Sequence, residues 1–214
     1  MDNFLQLVYV GEIKTQCRFA LNAVGALNHA LRQLAIDSPN HRQAHSFFHS
    51  EVFRQTHSFL THASNVSRLF WPALPTRRNS ETHAAYEARV SSLDRVQRAV
   101  CLRRLYQLGD DHPLRNRTLR DHLEHYDERL DDWRKTSIKR NIASETIVPK
   151  NAIVGLDDGD VMRWFDPVKN VVRFRGEEFK LQELASAIDA LLPQSTRLED
   201  ELSARQRNDA TPQR

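Results

Sequence analysis

The sequence predicts a mainly α fold: an up-and-down helical bundle followed by a small C-terminal α+β extension. Three observations carry this. The 214 residues hold only 6 Gly and 8 Pro, which leaves few natural turns and favours long helices. Four long segments repeat their apolar residues at helical spacing. After Lys139 that periodicity gives way to short β-prone pieces. The expected division is a helical bundle over 1–138, a β-hairpin plus helix over 139–193, and a charged, flexible tail over 194–214.

The first helix is expected from Phe4 to Leu34, with Cys17, Leu21, Val24, Leu31 and Leu34 on its apolar stripe, stopping at "DSPN". The second runs from about His41 to Phe70, through Phe48, Val52, Phe59, Ala63 and Val66, and "WPALP" ends it. The third spans about Glu81 to Leu108, with Tyr86, Val90, Leu93, Val96 and Val100, closed by "GDDHP". The fourth covers about Leu114 to Lys135. Each amphipathic stripe needs a partner to bury against, and short polar connections make neighbours antiparallel. Beyond them, "IVGL", "VMRWFD" and "VVRFRG" read as strands, with "DPVKN" as the hairpin connection between the last two. Leu181 to Leu192 returns to helical spacing, and Pro193 is expected to end it.

The N-terminal "MDNFLQLVYVGEIK" lacks a basic region and a continuous apolar stretch, and nowhere do about 18 apolar residues run together. The expectation is a soluble protein without a signal peptide and no membrane partner. Cys17 and Cys101 fit neither a disulfide framework nor a thiolate zinc motif, so a reducing cytoplasm is the simplest setting and both thiols are expected as core fillers.

Net charge is only +3, yet its distribution is uneven. Arg95, Arg98, Arg103, Arg104, Arg115, Arg117 and Arg120 form a basic run that reads as solvated helix faces or as a phosphate-facing patch. Asp121, Glu124, Asp127, Glu128, Asp131 and Asp132 then reverse the sign. On an ideal helix Leu119, Leu123, Tyr126, Leu130 and Trp133 fall within roughly 80° of one another and form the buried seam. Arg120 and His125 flank the outer face, and His122 lies at the seam's edge. Asp121 with His125, Arg120 with Glu124 and Arg129 with Asp132 are spaced for surface pairs.

The order "RDHLEHYDERL" resembles the signature of the HEPN superfamily: an arginine, a polar residue, three variable positions and a histidine on a late helix of a small bundle. Arg120, Asp121 and His125 match that spacing. Arg117 with His122 and, at looser spacing, Arg115 with Asn116 and His122 are alternative frames. The resemblance covers the fourth helix closely and the bundle loosely, and does not reach the C-terminal third. It implies a metal-independent endoribonuclease acting as a homodimer whose motif helices share a cleft, in a toxin or defence setting, with RNA as substrate and an antitoxin or nucleotidyltransferase as partner. It equally implies, as the alternative, an inactive nucleotide- or RNA-binding or protein-interaction module.

Under the first implication His125 is a general acid or base and Arg120 stabilises charge on the scissile phosphate. Asp121 orients one of them, Arg115 and Arg117 contact substrate phosphate, and His122 is either an RNA contact or, by its place at the seam's edge, a core-edge histidine. No cofactor or metal is expected.

His41, His45 and His49 share one helix side, with His57 and His62 following. Without carboxylates from other helices they read as histidines beside an aromatic stripe instead of a metal site. Trp164, Phe165, Phe174 and Phe179, interleaved with Arg163, Arg173 and Arg175, read as the two faces of a small sheet or as an RNA clasp. The sequence holds no Gly-rich phosphate loop, no G-x-S-x-G elbow and no HExxH helix, so P-loop hydrolysis, serine-hydrolase chemistry and zinc proteolysis lack support.

Overall fold

A computed structural model describes residues 1–36 and 42–209, and among these the chain is mainly helical with one small sheet toward the C-terminus. The order is α1 (Asn3–Leu34), α2 (Arg42–Phe70), α3 (His83–Ser91), α4 (Asp94–Tyr106), α5 (Thr118–Glu124), α6 (Tyr126–Thr136), β1 (Thr146–Ile147), β2 (Trp164–Asp166), β3 (Val171–Phe174), β4 (Glu177–Lys180) and α7 (Leu181–Asp209). The "DSPN" stop, His41 and residues 210–214 lie outside the described residues. No helix among the described residues is long and apolar enough to cross a membrane. The chain divides into two compact units, one of Met1–Phe19, His62–Asn116 and Ala187–Arg214, the other of Ala20–Thr61 and Arg117–Ser186.

In the first unit the buried side chains include Val10, Ile13 and Cys17 of α1, Ala63, Val66 and Phe70 of α2, Ala99, Leu102 and Tyr106 of α4, and Leu191, Leu198 and Leu202 of α7. Phe70 meets Tyr106 edge-on with centroids 5.1 Å apart. The Tyr106 hydroxyl reaches Ser195 Oγ at 2.8 Å, and Ser195 also donates to Leu191 O. Burial pushes the Cys17 thiol up to about 12, so it stays protonated as a core filler.

Three expectations are corrected here. Along α1 the buried column is Val10, Ile13, Cys17, Ala20, Ala23, Leu27 and Ala30, while Leu21, Val24, Leu31 and Leu34 are only half-buried. Alanines allow close helix approach, and a stripe read from large side chains alone misses them. The third helix is two: Ser91 and Ser92 turn their hydroxyls onto Ala88 O and Arg89 O, and Leu93 adopts extended backbone before α4 restarts. Pro193 does not end α7. It sits on the exposed side, where a freed carbonyl meets water, while Ser195, Leu198 and Leu202 continue the buried column.

The second unit holds the sheet, in the order β1-β2-β3-β4. β1 pairs with β2 in parallel, and the other pairs are antiparallel, with Phe165 opposite Val172 and Val172 opposite Phe179. The expected hairpin after β2 is present. Asp166 Oδ1 accepts from Val168 N at 2.9 Å and Lys169 N at 3.1 Å, while Oδ2 accepts from Lys150 N at 3.1 Å. A second, unexpected hairpin leads into β4 through Arg175 and Gly176, both at positive φ (46° and 88°), the backbone a two-residue turn demands. "IVGL" forms no strand: Ile153 and Val154 are exposed, and β1 lies earlier, at Thr146.

Every residue of β2 and β3 is buried. Trp164 packs with Ala143 and Val161, and its Nε1 donates to Val148 O at 2.7 Å. Arg173, 3% exposed, lies over the Trp164 ring and donates to Asp158 Oδ1 at 2.7 Å.

Candidate functional site: the α5–α6 break

The expected fourth helix is three pieces. A 3-10 turn (Pro113–Arg115) precedes α5, and α5 stops at Glu124. His125, at φ −101° and ψ 39°, is at once the C-cap of α5 and the N-cap of α6. Its N–H donates to Asp121 O at 3.1 Å, and its carbonyl accepts from Arg129 N at 3.1 Å. Asp127 and Glu128 then fall in the first turn of α6, where carboxylates stabilise the amide end of a helix. The acidic run thus supports a second helix start within one apolar seam. Of that seam only Leu119 is buried, while Leu123, Tyr126, Leu130 and Trp133 are half-buried.

The break separates the motif residues by environment. Arg120 is 8% exposed, its guanidinium paired with Glu124 and, at 3.4 Å, with Asp121 Oδ1. This corrects the expectation that it flanks the outer face: Arg120 is buried with its neighbour Leu119, because the wheel places a residue relative to its own helix's seam and says nothing of what the rest of the fold packs beside it. The His125 side chain is 56% exposed, with Nδ1 3.4 Å from Glu128 Oε1. Asp121 is exposed and joins the two, holding the guanidinium with its side chain and His125 with its carbonyl. Of the three motif side chains, those of Asp121 and His125 are exposed and that of Arg120 is buried.

His122 is built in. Its ring stacks on Phe174 with centroids 4.9 Å apart at 9°, Arg129 Nε donates to Nδ1 at 3.2 Å, and Nε2 lies 3.3 Å from Glu177 Oε1. The bond from Arg129 makes Nδ1 an acceptor and leaves Nε2 as the donor to Glu177. This is a core-edge position; Arg129 and Phe174 are prominent in the sequence for other reasons and Glu177 is not, and only the His122–Arg129 spacing of two helical turns hints that any of them meets His122. Tyr126 is equally engaged, its hydroxyl 3.1 Å from Ser144 Oγ and its ring beneath the Arg163 guanidinium at 4.4 Å.

Arg117 precedes α5, and its carbonyl accepts from Asp121 N at 3.0 Å. Arg115 belongs to the first unit, where it donates to Asp110 O at 3.0 Å. Much of the basic run has structural duty: Arg95, Arg98 and Arg103 donate to Ala73 O, Arg68 O and Phe70 O, so guanidinium groups close the carbonyl end of α2 and the turn after it.

Of the other histidines, His45 is exposed, His49 lies beside Phe53 and His62 beside Phe19, with His62 Nδ1 2.7 Å from Gln16 Oε1. Among the described residues no three His, Cys, Asp or Glu side chains gather as a metal centre. Arg175 donates to Arg129 O and Thr136 Oγ1, so within the aromatic and arginine set Arg173 and Arg175 brace the sheet unit. Comparison with protein-family models, with curated proteins and with solved structures returns no match.

Proposed function

We propose that the chain is a metal-independent endoribonuclease of HEPN type, acting in the cytoplasm as a homodimer in which two α5–α6 breaks face one another across the RNA. The observation that supports this reading is the exposed imidazole of His125 at a helix break, one turn from the anchored Arg120 and its partner Asp121. In the reaction one imidazole takes the proton of a ribose 2′-OH as its oxygen attacks the adjacent phosphorus. The other copy's imidazole protonates the departing 5′-oxygen, giving a cyclic phosphate and a free 5′-hydroxyl. Arg120 serves the phosphoryl oxygens when phosphate displaces Glu124 from its guanidinium. A toxin or defence role, with an antitoxin or nucleotidyltransferase as partner, belongs to this reading.

The burial of Arg120 between two carboxylates favours a second reading, a catalytically silent module that binds RNA, nucleotide or protein. One experiment separates them. Mixed RNA incubated with the purified chain in EDTA is cleaved under the first reading, and His125→Ala lowers the rate about 10²-fold or more. Cleavage that persists in His125→Ala, or a chain that remains monomeric at micromolar concentration, removes the composite site. Salt-sensitive RNA binding without cleavage installs the second reading.

A further inference from the structure

The second unit contains a cleft of about 360 Å³ lined by Phe53 and His57 of α2, Leu123 and Tyr126 at the helix break, and Glu145 and Arg163 beside the sheet. Val172 completes its apolar and aromatic part, and Ser50, Arg54 and Thr56 join the polar and charged heads, a mixture that suits a polar, planar small molecule. We infer that this cleft holds one unpaired guanine base of single-stranded RNA. The inference rests on the RNA reading above and gives it a sequence preference.

Arg54 in the lining is taken up by a bidentate pair with Glu51, which leaves two heads to define the chemistry. Arg163 is fixed on three sides, over the Tyr126 ring at 4.4 Å, 3.4 Å from Ser144 Oγ and 3.2 Å from Glu145 Oε1. Its Nε is buried and meets no acceptor. Glu145 stands at φ 57°, a left-handed backbone uncommon for glutamate, and the Thr146 N–H locks it by donating to Arg163 O at 3.0 Å. A strained residue held by its neighbours is a reason to look for function at that point. The result is a donor and a carboxylate acceptor side by side against an aromatic wall.

A phosphate or carboxylate ligand would meet the Glu145 carboxylate beside the arginine. A neutral planar ring with donors and acceptors on one edge meets neither repulsion nor an unmatched head. Every base offers one donor beside one acceptor on its pairing edge. Guanine alone offers two adjacent donors, N1–H and N2–H, which a carboxylate accepts together, next to O6, which takes an arginine N–H. Leu123 and Tyr126 flank His125 in sequence, so the cleft and the proposed reaction share one helix break.

Titration of the full chain with guanosine, adenosine, cytidine and uridine and with their 5′-monophosphates, followed calorimetrically, tests this. Guanosine is expected to bind about tenfold tighter than the others, one good bidentate pair being worth roughly that much or more. The preference is expected without the phosphate, to vanish in Glu145→Gln, and to remain in His125→Ala. Arg163→Met is expected to lose binding; should it fail to fold, the nearly isosteric change at Glu145 still decides. Equal binding of all four bases, no binding at millimolar concentration, or a guanine preference untouched in Glu145→Gln overturns the pocket. Guanosine binding in a chain that cleaves no RNA overturns the nuclease and leaves the pocket standing. Cleavage that depends on His125 but ignores guanine does the reverse.

Discussion

Among the described residues the first unit buries Ser64, Ser67 and Ser195, whereas the second buries Arg120, Asp160, Asp166 and Arg173 together with Gln55 and Thr56. The two units solve burial differently. Ser195 is satisfied within its own helix, on Leu191 O, whereas Ser64 Oγ and Ser67 Oγ are buried without a hydrogen-bond partner, a smaller cost for a neutral hydroxyl than for a charge. A buried charge costs several kcal/mol unless partners are fixed around it. The second unit supplies them: three backbone N–H groups for Asp166, Trp133 Nε1 at 2.9 Å for Asp160, and Asp158 for Arg173. The first unit is therefore held mainly by apolar columns and the second around buried charges with fixed partners, although Asp160 Oδ2 and Arg163 Nε stay without a hydrogen bond, and the candidate site is built on the latter.

The sharpest way to break this contrast is Asp166→Ala, which strands three amide groups and undoes the β2–β3 hairpin geometry. A loss of about 3 kcal/mol in denaturant unfolding is expected. Acid distinguishes the units as well. Burial works to raise Asp166, but the three N–H bonds overcome it and hold the carboxyl below its ordinary 3.8; the Lys150 ammonium likewise lowers Glu178. Their stabilisation is whole above the ordinary carboxylate range and disappears as the pH falls through the lowered values. In the first unit, burial lowers His62 and His112 below 6.5, so the folded form binds fewer protons than the unfolded chain and stability begins to fall below 6.5. Acidification should thus disturb Trp71, stacked on His112, before Trp164. Single-tryptophan variants followed by fluorescence check the order, and coincident transitions would show one cooperative block.

Next in size is His122→Ala, which removes the ring stacked on Phe174 and leaves Arg129 and Glu177 without their shared partner. About 2 kcal/mol is expected, measured by urea unfolding. Tyr106→Phe in the first unit keeps the ring against Phe70 and deletes one neutral bond, while Ser195 retains Leu191 O. Its cost should be about 1 kcal/mol. If the two values were reversed, the contrast between the units would fail.

The same difference governs what the sequence discloses. Helices were legible because their apolar residues recur, and the β2–β3 hairpin because "DPVKN" carries turn chemistry. The buried column of α1 was not, since Ala20, Ala23 and Ala30 carry no strong hydrophobic signal. The breaks at Leu93 and His125 were not, because the apolar spacing runs through both without a Gly or Pro to mark them. Pro193 misled in the opposite direction: its exposed placement in α7 depends on which side of the helix faces the core. The identity of the motif residues could be read directly, but not their surroundings. Arg120, expected as a surface cation, is buried by packing that the sequence of its own helix does not disclose.

The smallest expected effect is the most informative about the site. His125→Ala removes an exposed side chain that pairs with Glu128 at 3.4 Å, while the hydrogen bonds that make the break belong to the backbone and survive. Stability should stay within about 0.5 kcal/mol of the parent chain. A residue that contributes so little to the fold, on a helix break whose neighbours His122 and Tyr126 are both tightly engaged, can be removed without disturbing the scaffold. Loss of activity in that variant would then report chemistry. If unfolding instead showed a loss comparable to that of His122→Ala, the imidazole would be a structural cap, and the separation between a framework that holds and a group that acts would be lost at the position where it matters most.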